Sequence, residues 1–125
     1  MYSYLVPLIE KKPKHVILHI STNDAANNIN KSHEELTDEI LQLKQHLEKA
    51  LPQSIIIISF PTLRTDNKKA NYTLSKLQEN LNLLNINSID NSNIIESHLS
   101  KGGLHLNDKG KGRLAMNYIS YIRHL

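Results

Sequence analysis

A chain of 125 residues has room for one modest domain with a single core. Without cysteine it has no disulfide framework, zinc–thiolate site or cysteine nucleophile. Its formal charge of +3 rests on scattered lysines, with one Phe and no Trp to stack on bases, so nucleic acid is not an expected partner. The longest apolar run, Ile55 to Ile58, falls far short of the ~18 residues of a membrane span. No basic region followed by a long apolar one opens the sequence, which leaves a cytoplasmic location as the default. No repeat, linker or low-complexity tract divides it, and 1–125 reads as one unit.

In chain order, "YSYLVPLIE" over 2–10 places Leu5, Val6, Leu8 and Ile9 as the tail of an amphipathic helix, closed by Pro13. His15 to Ile20 is a strand, apolar enough on both faces to be covered from both sides. Ser32 and Glu35 form a capping-box pair ahead of Leu36, Ile40, Leu43 and Leu47, which repeat at helical spacing until Pro52. "SIIIISF" is the β-branched run of a central parallel strand, stopped by Pro61. "TLRTDNKK" is a loop, and Leu74, Leu77, Leu81 and Leu84 mark the next helix. A weaker strand spans Ile86 to Ile89. A last helix, capped by Asn107 or Asp108, carries Leu114, Ala115, Tyr118, Ile119 and Ile122.

Alternating helices and strands imply a parallel sheet with right-handed crossovers. The expected fold is α/β: a three-layer, flavodoxin-like sheet of about three strands flanked by helices. Ligands of such sheets bind beyond the carboxyl ends of the strands. "STND" at 21–24, the loop after Phe60 and "GGLHLND" at 102–108 all reach that rim.

Two residues there suggest chemistry. Asn23 offers amide donors where an oxyanion could develop, and His105, in a Gly-flanked loop before a helix, suits a general base. Taken singly, each has a plainer reading. Asn and Asp after a strand commonly form a turn that satisfies its own backbone, and a His before a helix is commonly a cap neighbour.

Together and in this order, "ISTNDA" resembles the G-x-N-D block of the SGNH hydrolases, the GDSL-type esterases and lipases. "GGLHLNDKGKGRLAMNYI" resembles that family's C-terminal block, in which the catalytic His precedes a helix. The phrasing of "PTLRTDN" and "GLHLN" is also similar to SGNH-like domains of animal mobile-element-associated proteins. The resemblance implies acyl-ester hydrolysis with no cofactor and no metal. Asn23 would serve in the oxyanion hole and His105 as general base, with Asp24 and Ser21 in supporting places.

The departures are as informative. The family's Gly-Asp-Ser nucleophile block has no counterpart, and there is no G-x-S-x-G elbow. The second oxyanion-hole donor, a Gly, would lie upstream of residue 1. Ser21 stands where the Asn block has Gly. The triad Asp, three residues before the His, is replaced by Gly102, while Asp108 better suits a helix cap. Ser21 and Ser59 are the substitute nucleophiles to weigh. His15 and His19 share a strand face without an evident third metal ligand.

The expectation is therefore a single partial, truncated SGNH hydrolase-like domain, catalytically incomplete alone: a pseudoenzyme unless an upstream segment supplies the Ser. A small-molecule ester or acylated compound is the substrate class if the site is active. The first strand of the 2-1-3-4-5 order would be missing beside His15 to Ile20, leaving an open edge for that segment or for self-association. The alternatives are a non-catalytic binding or interaction module using the rim, the edge or the basic cluster Lys109, Lys111 and Arg113, and an unrelated α/β domain matching by chance. In the first case Asn23 and His105 must face one cleft.

Overall fold

The computed structural model describes residues 11–20 and 32–125. The helix predicted over 2–10 lies outside them, as do Ser21, Asn23 and Asp24. Strands β1 (His15–His19), β2 (Ile55–Ser59) and β3 (Ser88–Ile89) form one parallel sheet in the order β1-β2-β3. Helices α1 (His33–Ala50) and α2 (Lys68–Asn82) make the crossovers, a short 3-10 turn covers Glu96–His98, and α3 (Asp108–Arg123) follows. The alternating pattern of the sequence is thus an open parallel α/β sheet.

Each helix starts where a short polar side chain catches an amide that the first turn leaves without an intrahelical partner. The Ser32 hydroxyl accepts from the Glu35 amide at 3.1 Å, and Asn67 Oδ1 from the Ala70 amide at 3.0 Å. Asn107 Oδ1 accepts from the Gly110 amide at 2.9 Å, so Asn107 is the cap and Asp108 the first residue of α3.

Two boundaries differ from the sequence reading. Helix α2 ends at Asn82, leaving Leu84 outside it. The strand predicted over Ile86 to Ile89 narrows to Ser88–Ile89, since it pairs only with Ile58 and Ser59 at the end of β2.

The period of two along the strands sorts the core. Val16, Leu18, Ile20, Ile56, Ile58 and Phe60 face α1 and α2, where Leu36, Leu47, Leu74, Leu77 and Leu81 bury against them. Strands added in one direction with crossovers of one hand must put both helices on one face. The other face carries His15, Ile17, His19, Ile55, Ile57 and Ser59, and there α3 lies across the ends of β2 and β3.

Candidate active site

His105 stands on a short ribbon. Leu99 and Leu106 bridge antiparallel, the Ser100 amide donates to the His105 carbonyl at 2.7 Å, and the Gly103 amide donates to Ser100 at 2.9 Å. Asn107, besides capping α3, donates its side-chain amide to the Ser97 and Leu99 carbonyls at 2.8 and 3.2 Å. The His105 backbone is thereby fixed from both sides while its ring is exposed, the disposition a general base needs.

Two glycines let this ribbon dock. Gly103 has φ +73, and a Cβ there would sit 2.2 Å from Thr65 Oγ1. The Thr65 amide donates to the Gly103 carbonyl at 2.7 Å, locking the ribbon to the loop after β2. At Gly110 a Cβ would meet the His98 carbonyl oxygen at 2.3 Å, so only glycine lets the first turn of α3 pass so close. Gly102, three residues before His105, faces open space.

Sequence reasoning missed Arg64 and Asp66. Arg64 is 4% exposed, and its Nε and Nη2 donate to the two carboxylate oxygens of Asp66, both at 2.7 Å. The Arg64 hydrogen bonds hold the Asp66 carboxyl below its ordinary range, burial opposes this, and the charge of His105 adds the weakest contribution. Asp66 is therefore within electrostatic reach of His105, but both its oxygens serve the guanidinium rather than the imidazole. The signal was present in "RTD", a two-residue spacing that brings Arg and Asp together only when the loop turns.

Ser59, weighed as a substitute nucleophile, is fully buried at the end of β2. Its hydroxyl meets His19 Nδ1 at 2.9 Å, Asn91 Nδ2 at 2.9 Å and the Tyr118 hydroxyl at 3.0 Å. A hydroxyl saturated by three partners and closed to solvent cannot attack a substrate, so its place is structural. Asn91 Nδ2 also donates to the Phe60 carbonyl at 2.7 Å, and Asn117 ties Asn91 and Asn93 to α3. This asparagine network, bracing the strand ends, was not foreseen.

A cleft of about 270 Å³ opens beyond β2 and β3, lined by Thr62, Asn71, Ser75, Gln78, Asn91, Ser92 and apolar neighbours, with no charged side chain among them. Lys109, Lys111 and Arg113 are exposed on α3. Of the two residues expected to share one cleft, His105 is described and Asn23 lies outside the described residues.

No family model matches the sequence, and no curated protein matches it. Solved structures do. A member of the lipolytic protein G-D-S-L family from Veillonella parvula DSM 2008 superposes with a TM-score of 0.70 at 20% identity, covering 89% of this chain and 64% of that one. A carbohydrate esterase family 3 protein from Talaromyces cellulolyticus gives 0.70 at 15%, over 94% and 63%. A catalytic mutant of an acetylxylan esterase from Geobacillus stearothermophilus gives 0.70 at 15%, over 95% and 64%.

The class is thus the open, flavodoxin-like parallel α/β sheet. Within it, the chain has an SGNH hydrolase-like fold. It spans just under two thirds of the length of these structures.

Proposed function

We propose that this chain is an SGNH-type esterase-like domain that holds part of an ester-hydrolysing site and not its nucleophile. Asn23 would donate to the oxyanion, with Asp24 and Ser21 supporting its loop, and His105 would take the proton. The observation that carries this reading is the fold shared with GDSL lipolytic and acetylxylan esterase structures, combined with an exposed His105 on a braced ribbon directly before α3. The substrate class would be a small acylated molecule.

On this reading the chain alone is inactive. With Ser59 buried and no carboxylate bonded to the ring of His105 among the described residues, the described half of the site lacks two functions of a triad, and loss of either costs orders of magnitude. The purified chain is expected to hydrolyse a short-chain p-nitrophenyl ester no faster than its His105→Ala and Asn23→Ala variants. Activity lost in both variants would reveal a nucleophile within the chain and overturn the incompleteness.

A second reading, an interaction module, draws support from the β1 edge. Among the described residues no strand pairs with its outer side. An α-helix advances about 100° per residue, so passing from Asn117 on the β3 side to Tyr118 on the β1 side places Ala115, Ile119 and Ile122 next around α3. Ile119 and Ile122 are 40% and 48% exposed. An apolar flank beside an open strand suits a polypeptide that adds a strand, either an upstream segment or a second copy. Sedimentation equilibrium of the purified chain tests the second copy: dimers would support that occupant, and monomers at high concentration would exclude it.

A further inference from the structure

We propose that the uncharged cleft beyond β2 and β3 binds a small neutral, hydroxylated molecule, of the chemical class of a single sugar ring. This goes beyond the esterase-like reading, since His105 is not among the residues that line the cleft.

Three segments make the cleft. Thr62 and Leu63 follow the carboxyl end of β2, Asn91, Ser92 and Ile94 follow that of β3, and α2 forms the remaining wall. The carboxyl ends of parallel strands are where such sheets take ligands. The volume of about 270 Å³ lies just below the ~300–1,000 Å³ of pockets for drug-sized ligands, which suits a molecule of roughly one ring.

Thr62 is the residue that points to a ligand. It is only 7% exposed and lines the cleft, yet its hydroxyl has no hydrogen-bond partner among the described residues. A hydroxyl donates once and accepts twice, and burying one unbonded is costly. Its bonding capacity is left for a molecule in the cleft.

Helix α2 adds a row of the same chemistry. Asn71, Ser75 and Gln78 stand four and three residues apart, which puts them on one face of the helix. Asn71 Oδ1 accepts from the Arg64 amide at 3.4 Å, and its Nδ2 remains a donor for the cleft. The Ser75 hydroxyl and the Gln78 amide have no partner among the described residues. No lysine or glutamate of α2 lines the cleft. Asn91 serves as wall alone, because Nδ2 is committed to Ser59 and the Phe60 carbonyl and Oδ1 to Asn117.

This lining selects the ligand. A charged group would give up hydration and find no counter-charge among the lining residues. A wholly apolar molecule would cover Thr62 and Gln78 and leave them unbonded. Ligand hydroxyls, which donate and accept, match the hydroxyl and amide groups, while the C–H face of a ring matches Leu63, Leu74 and Ile94. A neutral sugar ring offers both surfaces.

The test is amide-resolved NMR titration of the intact chain with the methyl β-glycosides of glucose, xylose and galactose, with glucuronate as the charged control. At least one glycoside is expected to shift the amides of Thr62, Ser75 and Gln78 with a millimolar Kd, and glucuronate to bind several-fold more weakly. Thr62→Val keeps the shape but removes the hydroxyl, and should raise that Kd about threefold or more. Gln78→Leu, at a half-buried helix position, should do the same and serves if Thr62→Val does not fold. His105→Ala should leave the Kd unchanged, so failure here is separable from failure of the proposed function. No shift with any glycoside at about 100 mM, shifts confined to other residues, equal binding of glucuronate, or a Kd unmoved by the variants would overturn the proposal.

Discussion

Adjacent glycines in the His105 ribbon carry opposite constraints. Gly103 combines a left-handed backbone with a neighbour 2.2 Å from any added Cβ, whereas Gly102 faces open space. Gly103→Ala should cost about 1–3 kcal/mol in urea unfolding, while Gly102→Asp should stay within about 0.5 kcal/mol of the parent. The second substitution would place a carboxylate three residues before His105. A parent-like unfolding curve for Gly103→Ala would show that the ribbon does not dock as described. Asp66 is tested by pH. The guanidinium holds its carboxyl below the ordinary value of 3.8, so its contribution is present above that value and lost as pH falls through the depressed one. Asp66→Asn should therefore lower the unfolding midpoint at pH 7 and bring the variant and parent curves together in strong acid. A gap that persists at low pH would mean that Asp66 acts by packing.

The helices depend on one buried stripe each and on their caps. Leu81 on α2 and Leu47 on α1 are fully buried against the same sheet face, so either change to Ala should cost about 2–5 kcal/mol by denaturant titration. Asn107 has two tasks, capping α3 and pinning the carbonyls of Ser97 and Leu99. Asn107→Ala should cost at least the about 0.5–2 kcal/mol of a lost cap. It should also release the His105 ribbon, seen as faster amide exchange at Ser100 and Gly103. An intact pattern of exchange would place the ribbon's stability in the Leu99–Leu106 bridge instead.

For the molecule as a whole, the decisive feature is that, among the described residues, β1 is an edge strand. The Lys14 carbonyl and the Ile20 amide both bond to β2. By the period of two, the amides of Val16 and Leu18 also point to β2, while those of His15, Ile17 and His19 point outward. Hydrogen exchange should find Ile17 exchanging far faster than Leu18 and Ile57 in the isolated chain. Protection of Ile17 equal to that of Leu18 would mean the edge is already covered. Gain of that protection on adding a partner would identify what pairs there.

The sequence alone determined the local and periodic features. Continuous apolar, β-branched runs made β1 and β2, leucines at helical spacing made α1 and α2, and Ser32 and the Asn107–Asp108 pair stood where helices begin, because these signals act within a few residues. The alternation of elements implied the parallel sheet, and two short blocks implied the SGNH-like fold that solved structures share. The end of β3 was not legible, since its length depends on how far β2 offers a partner. Nor were the Arg64–Asp66 pair, the docking of Gly103 on Thr65, or the burial of Ser59 under His19, Asn91 and Tyr118. His19 and Ser59 stand 40 residues apart, and Ser59 and Tyr118 stand 59 apart. Only the folded sheet, by bringing strand ends and α3 to one place, decided that Ser59 is a structural hydroxyl and that His105 stands exposed.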